Sequence, residues 1–516
     1  MPETRHESGH DGPLIAGLDI GTSRIKAAIF DPAGRLAAVA DQPTPTITTP
    51  EGWVEYDAEA LWQGAAACLR AALAQLPDPA AVAGVGIASM AEAGVPLDAA
   101  GRPLAPVIAW FDRRTLPEAE WLRQTIGEAR LFAASGLKVE RIFGLTKILW
   151  FKRHRPEVLA GAARWLNMAD WIAYRLSGVP ATDYSLASRT LALDIHALRW
   201  NEPLLAELGI PASLMAPLAP SGARLGRITA DAAAATGLPR HAVVGVGGHD
   251  HVCGTFAAGA ARPGMLLDSM GTAEGLLLAT ARPTADESVI RQGFAQGALW
   301  VDRPVFYLMG GLYTSGASIE WFREASGRAD HATLIAEAAA APPGSGGICF
   351  VPHLRLSSSP HPDDRARGAF VGLTSEATRG CLFRAVLEGL AFEAAAGVNG
   401  MAGVPEATPP TAIRAIGGNL RNRLLLEIKA AAYGQPIELA TITESTALGG
   451  ALCGGLAAGV YPDGEAAVAA VAGAAHGTVI EPDPALTARY RAIFEQVYSR
   501  AYEALRPLNH AIAALG

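Results

Sequence analysis

Two apolar runs near the start of the chain stand too close together to be joined by anything but a tight turn. Leu14 to Ile20 and Ile25 to Phe30 both read as buried strands, with only Gly21-Thr-Ser-Arg between them. A parallel crossover needs a dozen or more residues, so the pair is constrained to an antiparallel hairpin. A helical pattern from Asp57 to Arg70 and a buried-strand run from Val82 to Ser89 follow. About 250 residues on, the arrangement restarts. Ala242 to Asp250 is an apolar strand ending in glycines and an acid, and Met265 to Leu278 is again strand, Gly271-Thr272 turn, strand. The recurrence predicts a duplicated α/β fold with a glycine turn in each half. Glycine-rich punctuation over 254–264 puts the division there, giving expected domains 13–255 and 256–516. Residues 1–12 are polar, lack the apolar run of a secretory signal, and are expected to be a disordered leader.

Charge and cysteine usage narrow the class. A formal net charge of −8 offers no basic surface for a nucleic-acid backbone. The apolar stretches are broken by Gly, Pro or charge before the ~20 residues a membrane span needs, so neither nucleic acid nor membrane is an expected partner. The small-residue run Ala466 to Ala475 is a packing helix on the same ground. Five scattered cysteines without a C-x-x-C pair read as buried thiols in a reducing compartment, hence a cytoplasmic protein.

Three segments carry chemistry. In Gly17-Leu-Asp-Ile-Gly-Thr-Ser-Arg, Gly21 lets backbone N–H groups approach phosphate oxygens, Thr22 and Ser23 add hydroxyls, and Asp19 is placed to hold Mg²⁺. The same residues equally describe a hairpin whose acid bonds its own turn. In Gly247-Gly-His-Asp-His, Asp250 ends a strand and can accept a proton from an attacking hydroxyl. Adjacent residues on a strand point to opposite faces, so only His249 and His251 converge, and two ligands make a poor zinc site. In Ile413-Arg-Ala-Ile-Gly-Gly-Asn, a strand meets a glycine pair and then a helix from Leu424 to Tyr433, which suits a nucleotide or a plain turn equally.

In order along the chain these segments resemble the FGGY carbohydrate kinases, a branch of the actin/Hsp70/sugar-kinase superfamily. Further stretches in register include Trp110-Phe-Asp-Arg-Arg, Asn167-Met-Ala-Asp-Trp, Thr182-Asp-Tyr-Ser-Leu-Ala-Ser-Arg-Thr, Arg384-Ala-Val-Leu-Glu-Gly-Leu and Glu444-Ser-Thr-Ala-Leu-Gly-Gly-Ala. The resemblance implies an α/β fold of two ribonuclease-H-like (actin-like ATPase) domains with a central cleft, and transfer of a phosphoryl group from ATP to a hydroxyl of a small ketose, pentulose or polyol. It implies ATP and Mg²⁺ held between two Gly-Thr loops. By the same resemblance Asp19 is the Mg²⁺-linked acid, and Gly21, Thr22, Ser23, Gly271, Thr272, Gly310, Gly418 and Asn422 are nucleotide residues. Asp250 is the general base, with Ala91, Glu92, Trp110 and His251 on the substrate side.

The chain departs from the family where relatives carry Gln-Met-His-Gly or Gln-Arg-Glu-Thr: it has Met90-Ala-Glu-Ala, so neither the xylulose-type nor the glycerol-type pocket is reproduced. His251 stands where Asn or Gln is usual, and Glu427-Ile-Lys-Ala-Ala replaces Gln-x-x-Ala-Asp. Glu92 and His251 point to a hydroxyl-rich, uncharged substrate. Asp112 and Arg114, two apart, suit an ion pair as well as ligand contact. Two rival readings stay on the page: a non-catalytic sugar- or nucleotide-binding relative, and an Hsp70- or actin-like ATPase acting on a protein. The resemblance leaves a homodimer open.

Overall fold

The computed structural model describes residues 12–440, 442 and 444–515. The expected leader therefore lies, but for Gly12, outside the described residues. The chain packs as two compact units. The first takes Met1–Ala261, Gly297–Pro304 and Ile442–Ala475; the second takes Arg262–Gln296, Val305–Thr441 and His476–Gly516.

In the first unit β1 (Leu14–Ile20), β2 (Arg24–Phe30) and β3 (Leu36–Pro43) form an antiparallel meander, with Ile20 opposite Ile25 across the expected turn. β4 (Val82–Ser89) lies parallel to β1. β5 (Arg224–Arg227) pairs antiparallel with β6 (Val243–His249), and β6 lies parallel to β4. The order across the sheet is β5-β6-β4-β1-β2-β3. The helix Ala58–Leu73, capped by Asp57, whose side chain accepts from the Ala60 N–H, packs on β2 and β3 through Leu61, Ala65 and Leu69.

A second helix, Ser445–Ala458, packs on β1, β4 and β6. Glycine explains why. A Cβ on Gly17 would stand 1.8 Å from the Ala447 carbonyl oxygen, one on Gly84 2.2 Å from that of Gly454, and one on Gly86 2.1 Å from that of Gly450. Gly84 and Gly86, two apart, open the same face of β4, so helix backbone lies directly on sheet backbone. A single boundary at 255/256 therefore does not describe the packing, because a helix from the late sequence completes the first unit.

In the second unit β7 (Met265–Met270) and β8 (Glu274–Thr280) form the second expected hairpin, Met270 opposite Glu274, and β8 pairs antiparallel with β9 (Pro304–Leu312). β10 (Ala412–Ile416) is parallel to β7, β11 (Ile437–Ala440) parallel to β10, and β12 (His476–Ile480) antiparallel at the edge. The sheet has seven strands, and these six stand in the order β9-β8-β7-β10-β11-β12. Apart from the seventh strand, Ala295–Trp300, which lies beyond β9, both sheets share one pattern: three antiparallel strands, two parallel strands, one antiparallel edge. Among the described residues no helix is long and apolar enough to cross a membrane.

Candidate active site

The first turn is closed by the Gly21 N–H donating to the Arg24 carbonyl at 3.0 Å and braced from just past β3, where the Thr44 hydroxyl donates to the Gly21 carbonyl at 2.7 Å. Trp110, expected on the substrate side, donates its ring N–H to Thr22 Oγ1 at 2.9 Å. The Thr22 hydroxyl accepts there, which leaves its own proton available to donate. Ser23 is exposed at the crest.

Asp19 pairs in register with Lys26 across the hairpin. Its carboxyl is pushed up to about 7, chiefly by burial and then by the charge of Asp250, with Lys26 pulling the other way. An acid this short of positive charge fits a site for a divalent cation, which would relieve both causes. Lys26 also meets Glu444, the residue just before the helix Ser445–Ala458, held at a left-handed φ of 61°. Lys26 and Glu444 were not among the expected site residues. Lys26 was legible, because a hairpin with Ile20 opposite Ile25 puts position 26 beside position 19. Glu444 was not, since nothing local shows which sheet its helix covers.

At the end of β6 the chain does not continue as a strand: the helix Asp250–Ala257 starts at the acid itself. This corrects the expectation that neighbouring side chains diverge. His249, Asp250 and His251 bring one ligand atom each to within 4.8 Å of one another, a donor set that could hold a transition-metal ion. His249 Nε2 lies 3.1 Å from Asp250 Oδ1, and the His251 backbone N–H donates to the same oxygen at 2.6 Å. Burial alone would raise Asp250, but His251, His249 and these hydrogen bonds outweigh it and hold the carboxyl well below the usual range. His251 feels Asp250 pulling it up, but burial, His249 and Arg189 leave it below the ordinary imidazole value. Behind the strand end, buried Asp183 accepts from the Ser185 and Ser221 hydroxyls, and Ser185 Oγ in turn accepts the His249 N–H at 2.9 Å. The Thr182 to Thr190 stretch therefore fixes where β6 ends.

Ala91 and Glu92 follow β4, both buried. Glu92 sits at φ 59°, a strained value for a residue with a Cβ. Its carboxylate is bonded by Arg189 Nε at 2.5 Å, both side chains 7% exposed. Arg189 lay in a quoted motif but without an assigned role. Lys147, fully buried and bonded to the Ile142 carbonyl, is pushed down to about 7 by burial, against the pull of Glu92 and Asp112. This end of the site thus balances its charge internally. Asp112 and Arg114 form the ion pair the spacing allowed, Nε to Oδ1 2.9 Å, with Arg114 over the Trp53 ring and Asp112 bonded to the Val54 N–H.

In the second unit the Gly271 N–H donates to the Ala273 carbonyl at 3.0 Å, closing a turn one residue shorter than the first. The Gly271 carbonyl accepts from the Gly316 N–H and from Asn419 Nδ2, both at 3.1 Å, and the Thr272 carbonyl accepts from the Ser315 and Ala317 N–H groups. Gly316 is therefore the glycine on this turn; the place of a Gly310 side chain is filled by Ser359 and Phe294. Gly418 has open space where a Cβ would be, and Asn422 caps the helix Arg423–Tyr433 by accepting from the Leu425 N–H.

Sequence and fold are similar to those of known proteins over nearly the whole chain. A glycerol kinase of Gloeobacter violaceus is 36% identical over 462 residues, spanning 88% of this chain and 90% of its own. A glycerol kinase of a Janthinobacterium species is 33% identical over 88% and 91%. The crystal structure of xylulose kinase from Rhodospirillum rubrum superposes with a TM-score of 0.85 at 28% identity, covering 96% of this chain and all of that one. The two-domain α/β architecture is accordingly that of the actin-like ATPase kinases. The profile of the FGGY family of carbohydrate kinases, N-terminal domain, matches residues 14–257, and that of its C-terminal domain matches 266–458. The chain therefore belongs to the FGGY family of carbohydrate kinases, which phosphorylate sugars or polyols at the expense of ATP.

Proposed function

We propose that the chain transfers the γ-phosphoryl group of ATP to a hydroxyl of a small uncharged polyol, with Asp250 as the general base. The observation that carries this is the setting of Asp250. It begins a helix at the end of a rigid strand, is held ionised by two histidines, and lies within electrostatic reach of Asp19 behind the Gly21–Thr22 turn. Phosphoryl transfer depends on positioning and charge stabilisation, with a base to take the proton of the attacking hydroxyl.

The acceptor hydroxyl donates to Asp250, which carries the negative charge needed to receive the proton as the O–P bond forms. Thr22, with its acceptor side taken by Trp110, donates to a phosphate oxygen. Lys26 adds positive charge beside Asp19. Asp19 would hold Mg²⁺, which when bound neutralises charge on the phosphate oxygens. In the second unit Gly271, Thr272, Gly316, Gly418 and Asn422 offer backbone and amide groups to the nucleotide.

A polyol is favoured over a charged sugar because the Glu92–Arg189 pair is self-neutralised. The glycerol kinases among the relatives support the same class. Ala91 stands where a glycerol-type pocket has Arg, and the shorter side chain favours an acceptor longer than glycerol. A cytoplasmic setting fits the ATP requirement and five free thiols.

The test is ADP release measured with glycerol, tetritols, pentitols and ketopentoses. Turnover that requires an acceptor is expected. In Asp250→Asn, kcat falls about 10³-fold while ATP binding persists. Near-normal turnover by Asp250→Asn removes the base assignment. ATP hydrolysis indifferent to every acceptor points to a protein-directed ATPase instead.

A further inference from the structure

We propose that Lys429 is a positioning residue for nucleotide binding, the hub of a dry charge network that fixes the Gly271–Thr272 turn to the helix Arg423–Tyr433. The proposal rests on the reading of these second-unit segments as nucleotide-binding.

Lys429, Asp268 and Glu274 have side chains with 0% exposure. Lys429 Nζ donates to Asp268 Oδ2 at 2.5 Å and to Glu274 Oε1 at 2.6 Å. Tyr433, one helical turn on, donates its hydroxyl to the same Asp268 oxygen at 2.8 Å. Ser315 Oγ donates to the second Glu274 oxygen at 2.7 Å, while its backbone N–H donates to the Thr272 carbonyl.

The register explains the arrangement. Met270 stands opposite Glu274, and Asp268 is two residues before Met270, so both carboxylates lie on one face of the hairpin. They are diagonal neighbours at a separation one ammonium can bridge. One lysine thereby grips both strands immediately below the turn, and Glu274 extends the grip to the segment carrying Ser315 and Gly316. Lys429 belongs to the helix that Asn422 caps and Gly418 precedes. All the second-unit segments offered to the nucleotide are tied to one side chain.

A buried lysine is an expensive way to fill a core, and apolar residues of similar volume often serve stability as well. What the charges add is direction: each Lys429 proton points at one strand of the hairpin. Burial and the Asp268 charge push Glu274 up to about 7 against the pull of Lys429, so a neutral amide at 274 is a mild substitution.

Lys429→Met alone would strand two buried carboxylates and endanger folding, so the decisive variant is the triple Asp268→Asn/Glu274→Gln/Lys429→Met, which removes charge without leaving any unpaired. ATP binding is read directly by calorimetry, and KM for ATP and for the acceptor by steady-state kinetics. The triple variant is expected to keep a Tm near that of the wild type, with ATP affinity and ATP KM weakened at least fivefold and acceptor KM within twofold. The control is Arg384→Met, which breaks the buried Arg384–Glu388 pair of the same unit (2.8 Å) away from the turn; it should lower Tm and leave ATP KM unchanged. A folded triple variant that binds ATP like the wild type, or one whose two KM values rise together, overturns the proposal. So does Arg384→Met weakening ATP to the same degree. A wild-type chain that binds no ATP overturns the nucleotide reading itself, and this proposal with it.

Discussion

The two units carry the same hairpin with its acid one residue out of step. Counted from the turn glycine, Asp19 stands two residues back in the first unit and Asp268 three back in the second. Since successive strand residues face opposite ways, the one-residue offset sends the two carboxylates to opposite faces of otherwise equivalent strands. Asp19 shares its face with Gly17, and there the start of the helix Ser445–Ala458 supplies Glu444 while Lys26 flanks it. Asp268 is sealed beneath the helix Arg423–Tyr433 with a lysine on it. One acid is left short of positive charge; the other is gripped through a single oxygen by Lys429 and Tyr433 and holds the scaffold. A duplicated fold has divided the work between its copies by a shift of one position.

That contrast can be broken by exchanging the expected phenotypes. Asp19→Asn should lower kcat about 100-fold or more with ATP KM little changed, whereas Asp268→Asn should raise ATP KM with kcat nearly kept; steady-state kinetics showing the reverse would end the comparison. Gly86→Val, which forces a side chain into the Gly450 carbonyl, should destabilise the first unit by about 3 kcal/mol in denaturant unfolding, and unchanged stability would mean the helix can lift off the sheet. Trp110→Phe removes a single hydrogen bond to Thr22, worth about 1 kcal/mol, and should raise ATP KM about fivefold. The smallest effect sharpens the charge argument. With its carboxyl raised to about 7, Asp19 binds a proton more tightly folded than unfolded, so its contribution is full below about pH 4 and lost as pH rises through about 7. Asp19→Asn should therefore melt ~1–2 °C above the wild type at pH 8 in the absence of nucleotide and metal, with the gap closing toward pH 5.

Much of this was legible before any coordinates. Both hairpins followed from a connection too short for a helix, and the Asp112–Arg114 pair from a spacing of two. The two Gly-Thr turns and Asp250 stood out as glycine and acid at strand ends, although the residues of the first turn alone described a plain hairpin equally well. What stayed hidden depended on where chain segments end and return. The donors at 249–251 were misjudged because the strand stops one residue earlier than assumed. Arg189 and Lys147 gave no sign of facing Glu92, because they come from helical segments whose own patterns only say that they are buried. Gly316 was passed over for Gly310 because glycine spacing alone does not show which one meets the Gly271 carbonyl.

The helix Ser445–Ala458 also sets an order of events during synthesis. The glycine-opened face of β1, β4 and β6 is fully translated by residue 249, yet its cover is nearly two hundred residues further along the chain. At elongation rates of about 5–20 residues per second the ribosome takes on the order of ten seconds or more to supply it. Throughout that interval the first unit is a sheet with bare backbone on one side, a surface suited to chaperone capture. A message truncated after codon 261 would yield a fragment with no means of closing that surface, however intact its Asp19 turn and Asp250 might look on paper.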